Sequence, residues 1–351
     1  MVIAINTLAL VDDELDYKSI FLKEVFNQIV RQNPTHQFIF IFNNTNSGRF
    51  NSEKNTTSII VTPVLWAKGL SRHWYNIKLS IALKKHNPDL LIQTTGVCSS
   101  VIPYPQLLVL DDTNNCTRKS IIKAKQIIVS SNAIKNEILK KNNIDGDKII
   151  VIEGAAKAFF KPLGFEEIMQ VKDGYADGRD FFLLSEDENL MNVLKAFSIF
   201  KKWQRSSMKL LVVVSSINQN KRMIQLLDTY KYRDDVILLS NLDEYKLAKL
   251  TASAYCVLLP TFNFNFPLRV IEAMQSGVPV IASNNVCENI ENFVLYASAD
   301  DSQKIAEQMQ LIYKDEILRS KLVKEGYEKA ASFTWEKTVD SFWDSILRSI
   351  K

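Results

Sequence analysis

Arg269 and Glu272 stand three residues apart, a spacing at which a guanidinium and a carboxylate on one helix can pair. Just before them, Asn263 and Asn265 flank Phe264 and offer neutral hydrogen-bonding groups. Asp111 and Asp112 close an apolar run; such a pair could act as a general base, hold acceptor hydroxyls, or cap the helix that follows. Lys221-Arg222 follow an apolar run and a polar loop and are a second source of positive charge. Of the three histidines, His36 falls in a loop, His86 near a helix end and His73 ahead of a helix, where a surface or capping role suits it. The four cysteines, Cys98, Cys116, Cys256 and Cys287, lack metal-ligand spacing, and no Asp-x-Asp pair lies between apolar strands, so no metal is expected.

The elements that must position these residues are clearest over 255–285. An apolar run, Tyr255 to Leu259, stops at Pro260; the polar-aromatic loop 261–266 follows; Pro267 opens a helix through Ser276; Gly277-Val278-Pro279 turns into a second apolar run. Proline suits a first helical turn, where its missing N–H would lack a partner anyway, and glycine suits the residue past a helix end. Strand, loop, helix and strand in this order require parallel pairing. The loop before the helix then lies at the carboxyl edge of the sheet, where open α/β sheets bind ligands.

The rest of the chain alternates in the same way. Strands are expected at 2–6, 38–42, 58–62, 90–94, 107–110, 127–129 and 148–152, then at 181–184, 209–214 and 236–239, with amphipathic helices between them. A length of 351 residues suits two domains. The boundaries read as 1–164, 165–334 and a terminal helix over 335–351, with the glycine- and charge-rich stretch 164–180 as the linker. Residues 1–165 carry 20 Lys and Arg against 13 Asp and Glu, and the remainder 23 against 26. A basic first domain could favour an anionic acceptor or peripheral contact with an acidic membrane surface. No basic stripe interleaved with aromatics points to nucleic acid, no apolar run reaches membrane-span length, and the start lacks the basic region of a signal peptide. A cytoplasmic protein is expected.

The stretch 260–283 resembles the donor-site signature of the retaining, GT-B-fold glycosyltransferases of family 4, the group 1 enzymes. Pro260, Phe266, Leu268, Glu272, Ala273, Met274, Gly277, Pro279, Val280, Ile281, Ala282 and Ser283 match that signature in register. The ends of both halves, with Phe159 to Pro162 and Phe333-Thr334-Trp335, resemble it further, and residues 1–120 follow it in outline. The resemblance implies an α/β GT-B fold: two Rossmann-like, doubly wound parallel-sheet domains facing across a cleft, the terminal helix crossing back to the first. It implies transfer of a sugar from a nucleotide-diphosphate sugar to a glycan, lipid-linked or other hydroxyl acceptor. Glu272 would hold the nucleotide ribose, and the 263–268 segment, Asn263, Phe264, Asn265, Phe266, Pro267 and Leu268, would line the donor. Helix N–H groups or cations such as Arg269 and Lys221 would neutralise the leaving diphosphate without a metal.

Four places depart from the family pattern. Phe264 stands where the first Glu of a paired-glutamate motif belongs; Asp111-Asp112 replaces a His-Asp pair; Glu186, Asp187 and Glu188 replace a basic pair. Residues 7–16, where a glycine-rich loop is usual, hold no glycine and four carboxylates. Only 10 glycines occur in all, against about 25 at average usage of ~7%. Two readings follow: a working glycosyltransferase with a rewritten donor site, or a degenerate relative that binds or regulates, for example with a partner glycosyltransferase.

Overall fold

The computed structural model describes residues 1–10, 17–42, 53–61, 74–114, 116–185, 189–214, 221–261, 268–283 and 288–350. The chain forms two compact units, Met1–Gly154 with Trp335–Lys351, and Ala155–Thr334.

Runs such as Phe38-Ile39-Phe40-Ile41 and Leu107-Leu108-Val109-Leu110 are apolar at every position, the pattern of strands covered on both faces. They assemble β1 (Val2–Asn6), β2 (Gln37–Phe42), β3 (Thr56–Ile60), β4 (Leu90–Gln93), β5 (Gln106–Leu110), β6 (Gln126–Val129) and β7 (Ile149–Val151) into one parallel sheet of order β3-β2-β1-β4-β5-β6-β7. The connecting helices are α1 (Tyr17–Gln32), α2 (Leu79–Lys84, entered by a π-type turn at Trp74–Lys78), α3 (Arg118–Lys123) and α4 (Asn132–Lys141). Thr117 and Ser131 cap α3 and α4 by accepting from backbone N–H groups of their first turns.

The second unit repeats the plan with β8 (Phe181–Leu184), β9 (Lys209–Val213), β10 (Val236–Leu239), β11 (Cys256–Leu259), β12 (Val280–Ala282) and β13 (Leu295–Tyr296), ordered β10-β9-β8-β11-β12-β13 and again parallel. Its helices are α5 (Phe165–Ala176), α6 (Leu190–Gln204), α7 (Lys221–Asp228), α8 (Glu244–Ser253), α9 (Leu268–Gln275), α10 (Ser302–Lys314) and α11 (Glu316–Ala330). Each sheet reverses its winding once, between β1 and β4 and between β8 and β11. These are the topological switch points at whose carboxyl side doubly wound sheets take ligands. Two doubly wound parallel sheets are the α/β architecture expected from the sequence.

The linker expected over 164–180 is corrected: most of it is α5. Glu167 Oε2 accepts from the Gly164 N–H at the helix start, and the chain leaves through Asp177 and Gly178, both at positive φ. The glycines sit at the ends of a helix that its charged residues cover, with Gly174 tolerated inside. The division between units falls at Gly154–Ala155.

The terminal helix, α12 (Trp335–Ile350), belongs to the first unit. It buries Val339, Phe342 and Ile346 against α1, with Phe342 edge-on to Phe26 at 5.6 Å between ring centroids. Such side chains contribute about 1.5–3 kcal/mol each on burial. Trp343 stacks on His36 at 5.4 Å, which gives that histidine a packing role.

Candidate functional site

The second sheet's switch point lies between the ends of β8 and β11, at Ser185 and at Pro260-Thr261. Three side chains shape it. Asn189, buried just before α6, donates through Nδ2 to Pro260 O at 2.7 Å and to Ala299 O at 2.6 Å, tying the segment after β11 to the segment before α10. Ser185, after β8, and Ser283, after β12, are buried, and among the described residues neither hydroxyl has a hydrogen-bond partner. Unmet hydroxyls at a carboxyl edge are uncommon in a finished core and suit a site that a polar ligand completes.

Helix α9 supplies the charged part. Leu268, Val270, Ile271, Ala273 and Met274 are all buried, so most of the helix is enclosed, and Gly326 of α11 lets Met274 pack closely. Within that enclosure lies Glu272, 4% exposed. Its Oε2 accepts from Arg269 Nη1 at 2.7 Å. Burial pushes the Glu272 carboxyl above the ordinary range, the Arg269 charge opposes that rise, and Glu244 and Lys157 add smaller effects of opposite sign. The latter two form their own pair: Lys157 Nζ reaches both Glu244 oxygens, at 2.9 and 2.6 Å. Gln275, at the far end of α9, donates to Lys157 O and Phe160 O at 2.9 and 2.8 Å, so the segment around 157–160 is fastened to the helix that carries Glu272.

Of the donor residues expected from sequence, Glu272, Arg269 and Leu268 therefore lie together on one helix. Asn263, Phe264, Asn265, Phe266 and Pro267 lie outside the described residues, as do Glu186, Asp187, Glu188 and His73. Lys221 begins α7, and only its backbone is described. Sequence reasoning missed Lys157, Glu244 and Asn189. Asn189 alone gave a signal, a polar residue between an acidic run and an apolar helix face.

The first unit offers a different surface. Asn6 ends β1 and Gln93 ends β4, and Asn6 Nδ2 donates to Gln93 Oε1 at 2.8 Å across its switch point. Thr94 Oγ1 donates to Asn6 O, and Gln93 Nε2 leads on to Gln106 Oε1 at 3.3 Å. Gln106 Nε2 bonds Ser99 O, and Ser99 Oγ donates to Asn76 Oδ1. This network is buried and uncharged. Asp111, after β5, pairs with Lys18 of α1 at 2.7 Å; beside them is a cavity of about 20 Å³ that also touches Ser130, a buried hydroxyl without a partner among the described residues. Asp112 Oδ1 accepts from Asn114 N in a local turn. The alternative in which these aspartates cap the next helix is corrected: Thr117 does so, because it sits next to the first turn and Asp112 is five residues further back. Among the described residues no group of three His, Cys, Asp or Glu could hold a metal ion, and no helix is long and apolar enough to cross a membrane.

Residues 183–329, from β8 through nearly all of α11, match the family model for glycosyl transferases group 1. That match covers most of the second unit. The chain is similar to O-antigen chain mannosyltransferase B of Escherichia coli, 24% identical over 225 residues, which is 62% of this chain and 59% of the relative. It is also similar to O-antigen chain mannosyltransferase RfbU of Salmonella typhimurium, 25% identical over 188 residues, 53% of this chain and 50% of that one. The chain thus spans between half and three-fifths of these relatives' lengths. Among solved structures, a glycosyltransferase from Rickettsia africae ESF-5 has a TM-score of 0.79 at 16% identity, covering 100% of this chain and 98% of its own. Anabaena Alr3699/HepE, solved in complex with UDP and glucose, has 0.74 at 12%, with 99% of each chain covered. At such identities the likeness is one of fold.

Proposed function

We propose that this protein is a retaining glycosyltransferase that moves a sugar from a nucleotide-diphosphate sugar to a hydroxyl of a glycan or lipid-linked acceptor. One observation carries the reading: Glu272, in the segment that matches the group 1 family, is an enclosed carboxylate on the helix that follows the second sheet's switch point. An ionised, enclosed carboxylate accepts two vicinal hydroxyls well, and a nucleotide ribose presents such a pair. Arg269, held against Glu272 in the first turn, would bring positive charge to the leaving diphosphate. Ser185 and Ser283 would complete their hydrogen bonding on the same ligand.

Asp111 is our candidate for the acceptor hydroxyl. Lys18 holds Oδ1, which leaves Oδ2 to accept the hydroxyl proton. Asp112, its neighbour, would assist the same group. Relatives named as mannosyltransferases favour a mannosyl donor and favour transfer over a purely binding role. The basic first half of the sequence suits an anionic acceptor.

A nucleoside diphosphate panel of UDP, GDP and ADP tests the reading through thermal shift and through release of labelled mannose from its nucleotide. Stabilisation by one of the three, with transfer to acceptor or slow hydrolysis, is the expected result; at a hundredfold excess over Kd a ligand adds about 2.7 kcal/mol. No stabilisation at millimolar concentration contradicts any donor chemistry.

A further inference from the structure

We infer that Lys157 is a positioning residue for nucleotide binding, keeping Glu272 ionised by holding Glu244 neutralised beside it. The inference rests on the proposed nucleotide role of Glu272.

Three elements of the second unit meet here. The segment that opens the unit after Gly154 carries Lys157; the first turn of α8 carries Glu244; and α9 carries Glu272. The arrangement is fixed by backbone as well as by charge. Gln275 lies three residues after Glu272, so both fall on one side of α9, and Gln275 grips the Lys157 and Phe160 carbonyls. Gly277, at φ +72, turns the chain past the end of α9 with Pro162 in van der Waals contact at 3.4 Å from where a Cβ would stand. On the outer side Phe159 lies on Tyr245, 4.3 Å between centroids, next to Glu244 in sequence. The Lys157 ammonium is thereby kept on Glu244, with both side chains about four-fifths buried.

Among the described residues, the charges that act on Glu272 are Arg269 from its own helix, Glu244 from α8 and Lys157 from the opening segment. Glu244 alone would work against the Glu272 carboxylate on the neighbouring helix, and burial already pushes Glu272 upward. Lys157 cancels that repulsion. It acts without touching the nucleotide: its ammonium is spent on Glu244, and its effect is on the protonation of the carboxylate that accepts the hydroxyls. A protonated Glu272 would hold one hydroxyl less well and would lose its charge-assisted bond to Arg269.

The test is the pH dependence of nucleoside diphosphate affinity, measured by calorimetry on the full chain from pH 5 to 8.5. Because the folded-state value is raised, affinity should be full at high pH and should fall as pH drops through it. Lys157→Met should move that midpoint up by about one unit, which is roughly tenfold weaker binding below it and little change at pH 8.5. Lys157→Met with Glu244→Gln removes both charges and should bring the midpoint back to within about 0.3 unit of the parent, and Lys157→Arg should leave it in place. A purely structural lysine would weaken binding equally at all pH values, would not be rescued by Glu244→Gln, and that outcome overturns the inference. An unmoved midpoint in Lys157→Met, with the parent binding normally, overturns it while sparing the nucleotide site. Absence of binding by the parent at every pH overturns both.

Discussion

Arg269 Nη1 stands 2.7 Å from Glu272 Oε2, one turn apart on α9, and both side chains are nearly enclosed. In water such an i,i+3 pair is worth a few tenths of a kcal/mol. Here it keeps a charge from being buried alone. Truncating Arg269→Ala should lower stability by about 3 kcal/mol, in the range for removing one partner of a buried pair, read from a denaturation midpoint. It should also weaken nucleoside diphosphate binding more than nucleoside binding, because the diphosphate loses a cation. Equal affinity of Arg269→Ala and the parent for the diphosphate would remove Arg269 from the donor site.

The raised Glu272 carboxyl has a stability consequence of definite sign. Its value in the folded protein lies above the ordinary 4.5, so the folded state binds the proton more tightly. Stability contributed in this way is present below about 4.5 and is lost as pH rises through the folded-state value. Urea midpoints between pH 4 and 8 should therefore contain a falling component that disappears in Glu272→Gln. A variant with the parent's pH profile would show that this carboxyl is unperturbed.

Asn189 is uncharged, yet it should matter as much as an ion pair. One amide satisfies two carbonyl groups on two segments, Pro260 and Ala299. Asn189→Ala leaves both without that donor and should cost about 2 kcal/mol. Asn189→Asp should be worse, since it places an acceptor against acceptors. A near-neutral Asn189→Asp in thermal denaturation would contradict the role.

Asp111→Asn separates chemistry from structure. The Lys18 pair is partly exposed, so the stability loss should stay within about 1 kcal/mol. If Oδ2 takes the acceptor proton, kcat should fall 10²-fold or more with KM for the donor unchanged. A kcat within threefold of the parent would exclude Asp111 from proton transfer.

The alternation of strands and helices was readable in the sequence because parallel strands covered on both faces are continuous apolar runs, and Gly277, at positive φ, ends α9 where glycine is suited to do so. Arg269 and Glu272 were readable as a pair for the same reason: helical spacing is local. The 164–180 stretch misled because glycine and charge mark linkers as well as the two ends of an exposed helix, and only the packing of α5 decides. The Asn6–Gln93 bond joins residues 87 apart, and the Lys157–Glu244 pair another 87 apart. No local pattern announces either one. Nor did an apolar-looking strand end mark Ser185 or Ser283, whose unmet hydroxyls became visible only once burial was known.

Glu272 as a ligand-binding carboxylate is measured directly by isothermal titration of the preferred nucleoside diphosphate into the parent and Glu272→Gln at pH 8. The account predicts saturable binding by the parent and at least tenfold weaker binding by Glu272→Gln, with the variant still folded. Equal affinities in the two proteins would contradict it.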